Sequence, residues 1–174
     1  FYKVIIMKKA VIFMKIDANT ILITGGTAGI GFELATQLIE QGNNVIITGR
    51  DPIKLDLAKK KLPNLHVFQC DVSDPAAISD LFEKVTSQFP ELNFLINNAG
   101  IARKLNFHTN EFDLEDIRRE IDINFSGSIW MVKQFLPHLK TKKSAAILNV
   151  SSLLAFVPAP ISPVYCATKA GIHR

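Results

Sequence analysis

The chain has 174 residues, 48% of them hydrophobic and 21% charged, which suits one soluble domain with a sizeable core and is too short to suggest two. Its formal charge of +4 is mild, and the lysines gather at Lys8-Lys9, Lys59-Lys60-Lys61 and Lys142-Lys143 between long neutral stretches. That pattern describes solvated helix ends, not the basic stripe with interleaved aromatics of a nucleic-acid reader.

Residues 1–13 are apolar but broken by Lys3, Lys8 and Lys9. They lack the roughly 18 uninterrupted apolar residues of a membrane span and the small-residue cleavage site of a signal peptide. Met14-Lys15-Ile16-Asp17 reads as a natural start. Residues 1–13 are therefore expected to be an extraneous extension, and residues 14–174 a single domain. That domain is expected to be incomplete at its C-terminus, because the chain stops at Arg174, about two turns after Tyr165.

Residues 20–24 read as a buried strand, followed by a helix that starts at the glycines and runs to about Gln41. Residues 44–48 form the second strand; Asp51 then caps a helix with Pro52 at its first position. A third strand over 65–70, a helix over 75–89 and a fourth strand over 93–97 follow. A long helix from about Asp113 to Leu139 leads to a fifth strand over 145–151. Pro158, Pro160 and Pro163 mark an irregular loop, and Tyr165 opens the last helix. Wholly apolar strands alternating with amphipathic helices predict a doubly wound, Rossmann-like parallel sheet in three α/β/α layers, truncated after the fifth strand and the start of the following helix. Ligands of such a sheet bind at the carboxyl ends of its strands.

Two cysteines, Cys70 and Cys166, form no paired framework, so a reducing, cytoplasmic setting is expected. The four histidines show no metal-ligand spacing, and no metal site is expected.

Three motifs carry chemistry. Gly25, Gly29 and Gly31 lie at the first strand-to-helix turn, where glycine permits a tight turn and close approach of a pyrophosphate to the helix N-terminus. A glycine-rich structural turn would look the same. Thr48-Gly49-Arg50 ends the second strand, where a dinucleotide site choosing NAD carries an acid for the ribose 2′-hydroxyl. With Gly49 in that place, Arg50 suits a bidentate grip on a 2′-phosphate, unless it only covers the loop or pairs with Asp51. Finally, Tyr165 and Lys169 are four residues apart and share a helix face. A lysine held near a phenol favours the phenolate, which gives a general acid or base usable near neutral pH.

Together with Asn97-Asn98-Ala99-Gly100, Asn124 and Ser152, which fall between in order, these motifs resemble the short-chain dehydrogenase/reductase family from about residue 19 to the end. Residues 97–107 and 150–169 are also similar to a bacterial branch labelled as accessory oxidoreductases of D-alanine esterification.

The resemblance implies an NAD(P)-dependent oxidoreductase that interconverts a carbonyl and an alcohol by hydride transfer, with Tyr165 as acid or base. Lys169 would tune the tyrosine and hold the ribose, Ser152 would bond the reacting oxygen, and Asn124 would hold a water linking Lys169 to solvent. Ser151 is the rival of Ser152; the spacing to Tyr165 favours Ser152, and strand alternation sends Ser151 to the other face. Implied cofactor contacts are Thr24, Gly25, Thr27, Gly29, Ile30, Gly31, Arg50, Asp71, Val72, Asn98, Ala99 and Gly100, with Tyr165 and Lys169. Asp71 also fits a plain turn acceptor.

NADP(H) is expected over NAD(H), with a small carbonyl or alcohol as partner, no nucleic acid or membrane, and a homodimer or homotetramer as the complete protein. The truncated chain alone is expected to be inactive. Arg103 and Lys104 would greet an anionic substrate or stand as exposed loop charges. A noncatalytic NADP(H)-binding sensor and an interaction module that keeps only the fold are the competing classes.

Overall fold

The structure, a computed structural model, describes residues 3–6, 15–104 and 112–173. Its elements are β1 (Lys3–Ile6), β2 (Thr20–Ile23), α1 (Gly29–Glu40), β3 (Asn44–Gly49), α2 (Pro52–Lys61), β4 (His66–Gln69) and α3 (Pro75–Gln88). They continue with β5 (Leu92–Asn97), α4 (Leu114–Ile121), α5 (Gly127–Lys140), β6 (Ala146–Asn149) and α6 (Pro163–His173). The strands form one sheet in the order β1-β6-β5-β2-β3-β4, with β2 to β6 all parallel. The predicted doubly wound sheet is present.

Side-chain alternation along the central strands feeds two cores. Ile21, Ile23, Val45, Ile47 and Ile96 meet Ala35 of α1 and Leu55 and Ala58 of α2 on one face. Leu22, Ile46, Leu95 and Ile147 meet Ile78, Leu81 and Val85 of α3 and Met131, Phe135 and Leu139 of α5 on the other. Successive strand residues point to opposite faces, so a strand covered on both sides is apolar along its middle, with the buried polar residues Thr20, Thr48 and Asn97 at or near strand ends.

Helix starts follow local chemistry. Asp51 accepts the Ile53 and Lys54 N–H groups at 2.9 and 3.2 Å, Asp74 accepts that of Ala76 at 2.9 Å, and Asp113 accepts that of Asp116 at 2.8 Å. Helix α1 is the exception: Ala28 stands at its cap position and no side chain bonds its first N–H groups.

Two expectations change. Lys3–Ile6 pairs antiparallel with β6, Lys3 opposite Asn149 and Ile6 opposite Ala146, so the expected extension 1–13 is not wholly outside the sheet. The open edge of β6 offers unpaired N–H and C=O groups to any extended segment within reach. The rest of that extension, Met14 and the end of the 97–107 run lie outside the described residues. The expected long helix after β5 is interrupted by a π-turn at Asp122–Ser126, which joins α4 to α5 and carries Asn124. Among the described residues no helix is long and apolar enough to cross a membrane.

Candidate active site

A cavity of about 490 Å³ lies along the carboxyl ends of β2 to β6, within the usual range for a small-molecule pocket. Gly25, Thr27, Ala28, Ile30 and Gly31 line it at the first turn, Thr48, Gly49, Arg50 and Lys54 where β3 passes to α2, and Cys70, Asp71 and Val72 after β4. Asn98, Ala99 and Gly100 line it after β5, and Val150, Ser151, Tyr165 and Lys169 complete it from the β6–α6 side.

The first turn is built for close approach. Gly25 sits at φ +65°, and a Cβ there would lie 2.8 Å from the Ala99 Cα. A Cβ on Gly31 would lie 2.4 Å from Asn98 Nδ2, so α1 touches the end of β5 only because both glycines lack side chains. Thr24, 1% exposed, stands behind the cavity wall. Its Oγ1 accepts the N–H groups of Asn98 and Ala99, each at 3.0 Å, while Asn98 Nδ2 donates to the carbonyls of Thr24 and Gly25. Thr24 therefore shapes the turn without lining the cavity. Space beyond Gly29 is open. The uncapped N–H groups and positive dipole end of α1 face an opening that fits a pyrophosphate.

At the end of the cavity formed by the carboxyl ends of β3 and β4, Asp71 Oδ1 accepts the Ser73 N–H at 3.0 Å and hydroxyl at 2.6 Å, and Oδ2 accepts Arg119 Nη2 at 2.9 Å. Burial alone would raise its pKa, but the Ser73 bonds and the Arg119 guanidinium outweigh it and hold the carboxyl below its ordinary value. Asp71 is thus both a turn acceptor and part of the wall. Burial first, then Asp71, Asp74 and Asp80, push the Cys70 thiol up to about 12, so it stays protonated.

At the opposite end, Lys169 Nζ donates to the Val150 carbonyl at 2.8 Å and lies 5.8 Å from the centroid of the Tyr165 ring. Burial lowers the Lys169 pKa from its ordinary value. Asn124, fully buried in the π-turn, accepts the Ile101 N–H and donates to its carbonyl, both at 2.8 Å, and donates to Thr168 Oγ1 at 3.3 Å. It ties the loop after β5 to α6 and does not line the cavity.

The serines part company. Ser151 lines the cavity and its hydroxyl donates to the Lys169 carbonyl at 3.1 Å, whereas Ser152, expected to be the catalytic serine, is not among the lining residues and its hydroxyl accepts the Leu154 N–H at 3.1 Å. Alternation does not send Ser151 away, because β6 ends at Asn149 and a period of two has no force beyond it. Arg103 is committed to an ion pair with Asp116 and is not a free anion receptor. Lys54 was missed: a lysine in the first turn of a helix that starts at a strand's carboxyl end is the signal that would have found it. Among the described residues no three His, Cys, Asp or Glu side chains converge as a metal site would require.

Comparison with known proteins agrees with this geometry. A family model described as short chain dehydrogenase matches residues 19–174. The chain is 48% identical over 160 residues to an uncharacterized oxidoreductase, DltE, of Bacillus subtilis, covering 92% of this chain and 64% of that protein. It is 33% identical over 155 residues to the NADP-dependent 3-hydroxy acid dehydrogenase YdfG of Escherichia coli K12, covering 88% of this chain and 62% of that protein. The chain thus spans less than two thirds of either relative's length. The crystal structure of gox2181, 22% identical, shares the fold with a TM-score of 0.84 over 90% of this chain and 63% of that one. With the glycine turn, the Tyr165–Lys169 pair and the family match spanning one continuous domain, the chain belongs to the short-chain dehydrogenase family.

Proposed function

We propose that the full-length protein interconverts a small carbonyl compound and its alcohol with NADP(H). The observation that carries this reading is that Tyr165 and Lys169 line the same cavity as the uncapped glycine turn of α1. When bound, NADP(H) supplies hydride to the carbonyl carbon or takes it from the alcohol. Tyr165 donates its hydroxyl proton to the carbonyl oxygen, or removes that proton in the reverse direction. Lys169, anchored on Val150, brings positive charge beside the oxygen left when that proton has gone, and offers N–H donors to the cofactor ribose. The spacing to Tyr165 favours Ser152 over the cavity-lining Ser151 for the reacting oxygen, and the Ser152 hydroxyl, already accepting from Leu154, keeps its own proton to donate. Asn124 acts as a positioning residue through Ile101 and Thr168.

Arg50 on the cavity wall, and Gly49 where an NAD-selecting acid would stand, support NADP(H). The description of YdfG as NADP-dependent supports it too.

The test is Tyr165→Phe in the full-length protein, assayed against aldehydes, ketones and hydroxy acids. NADPH affinity should stay within about twofold of the parent while turnover falls by about 10²–10⁴. Substantial residual turnover would move the acid role to another residue. A parent protein that binds NADPH yet turns over nothing in the panel would be a sensor, not an enzyme.

A further inference from the structure

We propose that Lys54 is a second cation for the 2′-phosphate of the cofactor, acting beside Arg50 and so helping to set cofactor specificity. This rests on the NADP(H) reading above. The cavity carries Lys169 at one end and Arg50 and Lys54 at the other, where β3 passes to α2. Asp51 stands between the two cations, but its carboxylate is spent on the first N–H groups of α2, at 2.9 and 3.2 Å. Among the described residues neither Arg50 nor Lys54 has an ion pair or a side-chain hydrogen bond. Two charged side chains therefore line the same corner, and neither is paired with the neighbouring Asp51 carboxylate.

Lys54 is also out of place by the rules of helices. It lies in the first turn of α2, which contains no acidic residue beyond the cap Asp51, and a cation there opposes the positive end of the helix dipole. Lysines at the other end, Lys59, Lys60 and Lys61, are where the dipole favours them. The cap Asp51 offsets part of that opposition, but the Lys54 side chain makes no ion pair with it, and a residue that breaks a local rule marks a functional or strained site. Helical Cα–Cβ bonds tilt toward the N-terminus, so the Lys54 stem leads back toward the loop that carries Arg50.

The chemistry of the corner agrees. A phosphate monoester carries about −1.5 to −2 charges near neutral pH. Arg50 can grip it through a planar fork, and the remaining charge suits a point cation such as Lys54. The alternative solution, an acid at position 49 for a free 2′-hydroxyl, is obstructed: a Cβ on Gly49 would lie 2.7 Å from Thr27 Cγ2. The corner is shaped for an anion held from loop and helix, not for a carboxylate at the strand tip.

The experiment is a binding titration of the full-length protein and its variants Lys54→Gln, Lys54→Arg and Arg50→Ala. Probes are NADPH, NADH, adenosine 2′,5′-bisphosphate and adenosine 5′-monophosphate, at low and moderate salt. Lys54→Gln should weaken NADPH and the bisphosphate by about three- to tenfold, between an exposed ion pair and a charged hydrogen bond. It should leave NADH and the monophosphate within about twofold and flatten the salt dependence of NADPH binding. Lys54→Arg should restore NADPH affinity. If Lys54→Gln changes nothing while Arg50→Ala weakens NADPH selectively, the role of Lys54 is overturned and the NADP(H) reading stands. Equal weakening of all four probes by Lys54→Gln would make Lys54 structural and overturn it as well. If the parent protein binds NADPH no better than NADH, the cofactor reading fails and takes this proposal with it.

Discussion

Replacing Thr24 by valine tests how the glycine turn is held. Valine keeps the shape of threonine but cannot accept a hydrogen bond. The hydroxyl accepts two backbone N–H groups, those of Asn98 and Ala99, both at 3.0 Å, at a position only 1% exposed. Both N–H groups point at that buried hydroxyl, and a buried donor left without a partner costs about 1–3 kcal/mol. Losing both should destabilise the fold by about 2–6 kcal/mol, a large share of a typical total of about 5–15 kcal/mol. Thr24→Ser keeps the acceptor and loses only a methyl group, worth about 1 kcal/mol. Urea unfolding of the two variants of the full-length protein separates these effects, and NADPH titration shows whether the turn itself has moved. Valine should be the worse by at least about 1 kcal/mol and should also weaken NADPH, because Asn98 and Ala99 are cavity wall. If valine and serine prove equally stable, or valine loses less than about 0.5 kcal/mol, the two bonds do not hold the turn and the reasoning fails.

Ser152→Ala should lower turnover by about 10²-fold or more with NADPH affinity kept, and Ser151→Ala should cost far less; the reverse order would assign the reacting oxygen to Ser151. Glu120 is fully buried, with Oε2 lacking a partner among the described residues and Oε1 accepting the Arg103 N–H at 3.5 Å. Burial raises its pKa above the ordinary 4.5, against the opposing Arg103 bond and charge. The native chain then holds a proton that the unfolded chain has lost, so stability should fall as pH rises from the ordinary value through the raised native one, and level off above it. Glu120→Gln should remove that decline, matching the parent at pH about 4 and exceeding it by about 1 kcal/mol or more at pH about 8; an unchanged pH profile of unfolding would refute this. Deleting residues 1–13 from the chain should cost more than about 1 kcal/mol and promote aggregation, because the edge of β6 loses its antiparallel partner; an unchanged melting temperature would show that Lys3–Ile6 adds nothing.

Sheet and helices were legible in the chain, because strand burial on both faces and Asp-Pro helix starts such as Asp51-Pro52 are written within a few residues of where they act. The chain also fixed the order of the motifs, and hence that glycine turn, Arg50 and Tyr165–Lys169 would converge once parallel strands aligned their carboxyl ends. Other contacts depend on long-range packing. Asp71 is locked by Arg119 across 48 residues, and Asn98 and Ala99 are held by Thr24 across 74 and 75. Such partners depend on which strands become neighbours and are invisible to local pattern. Asn124 gained its bonds to Ile101 through a π-turn that no spacing announced. Ser151 reached the cavity because its strand ended two residues before it, and Lys3–Ile6 joined the sheet because an edge was open. Local chemistry sets what each segment can become, and only packing settles which groups are left to meet a ligand.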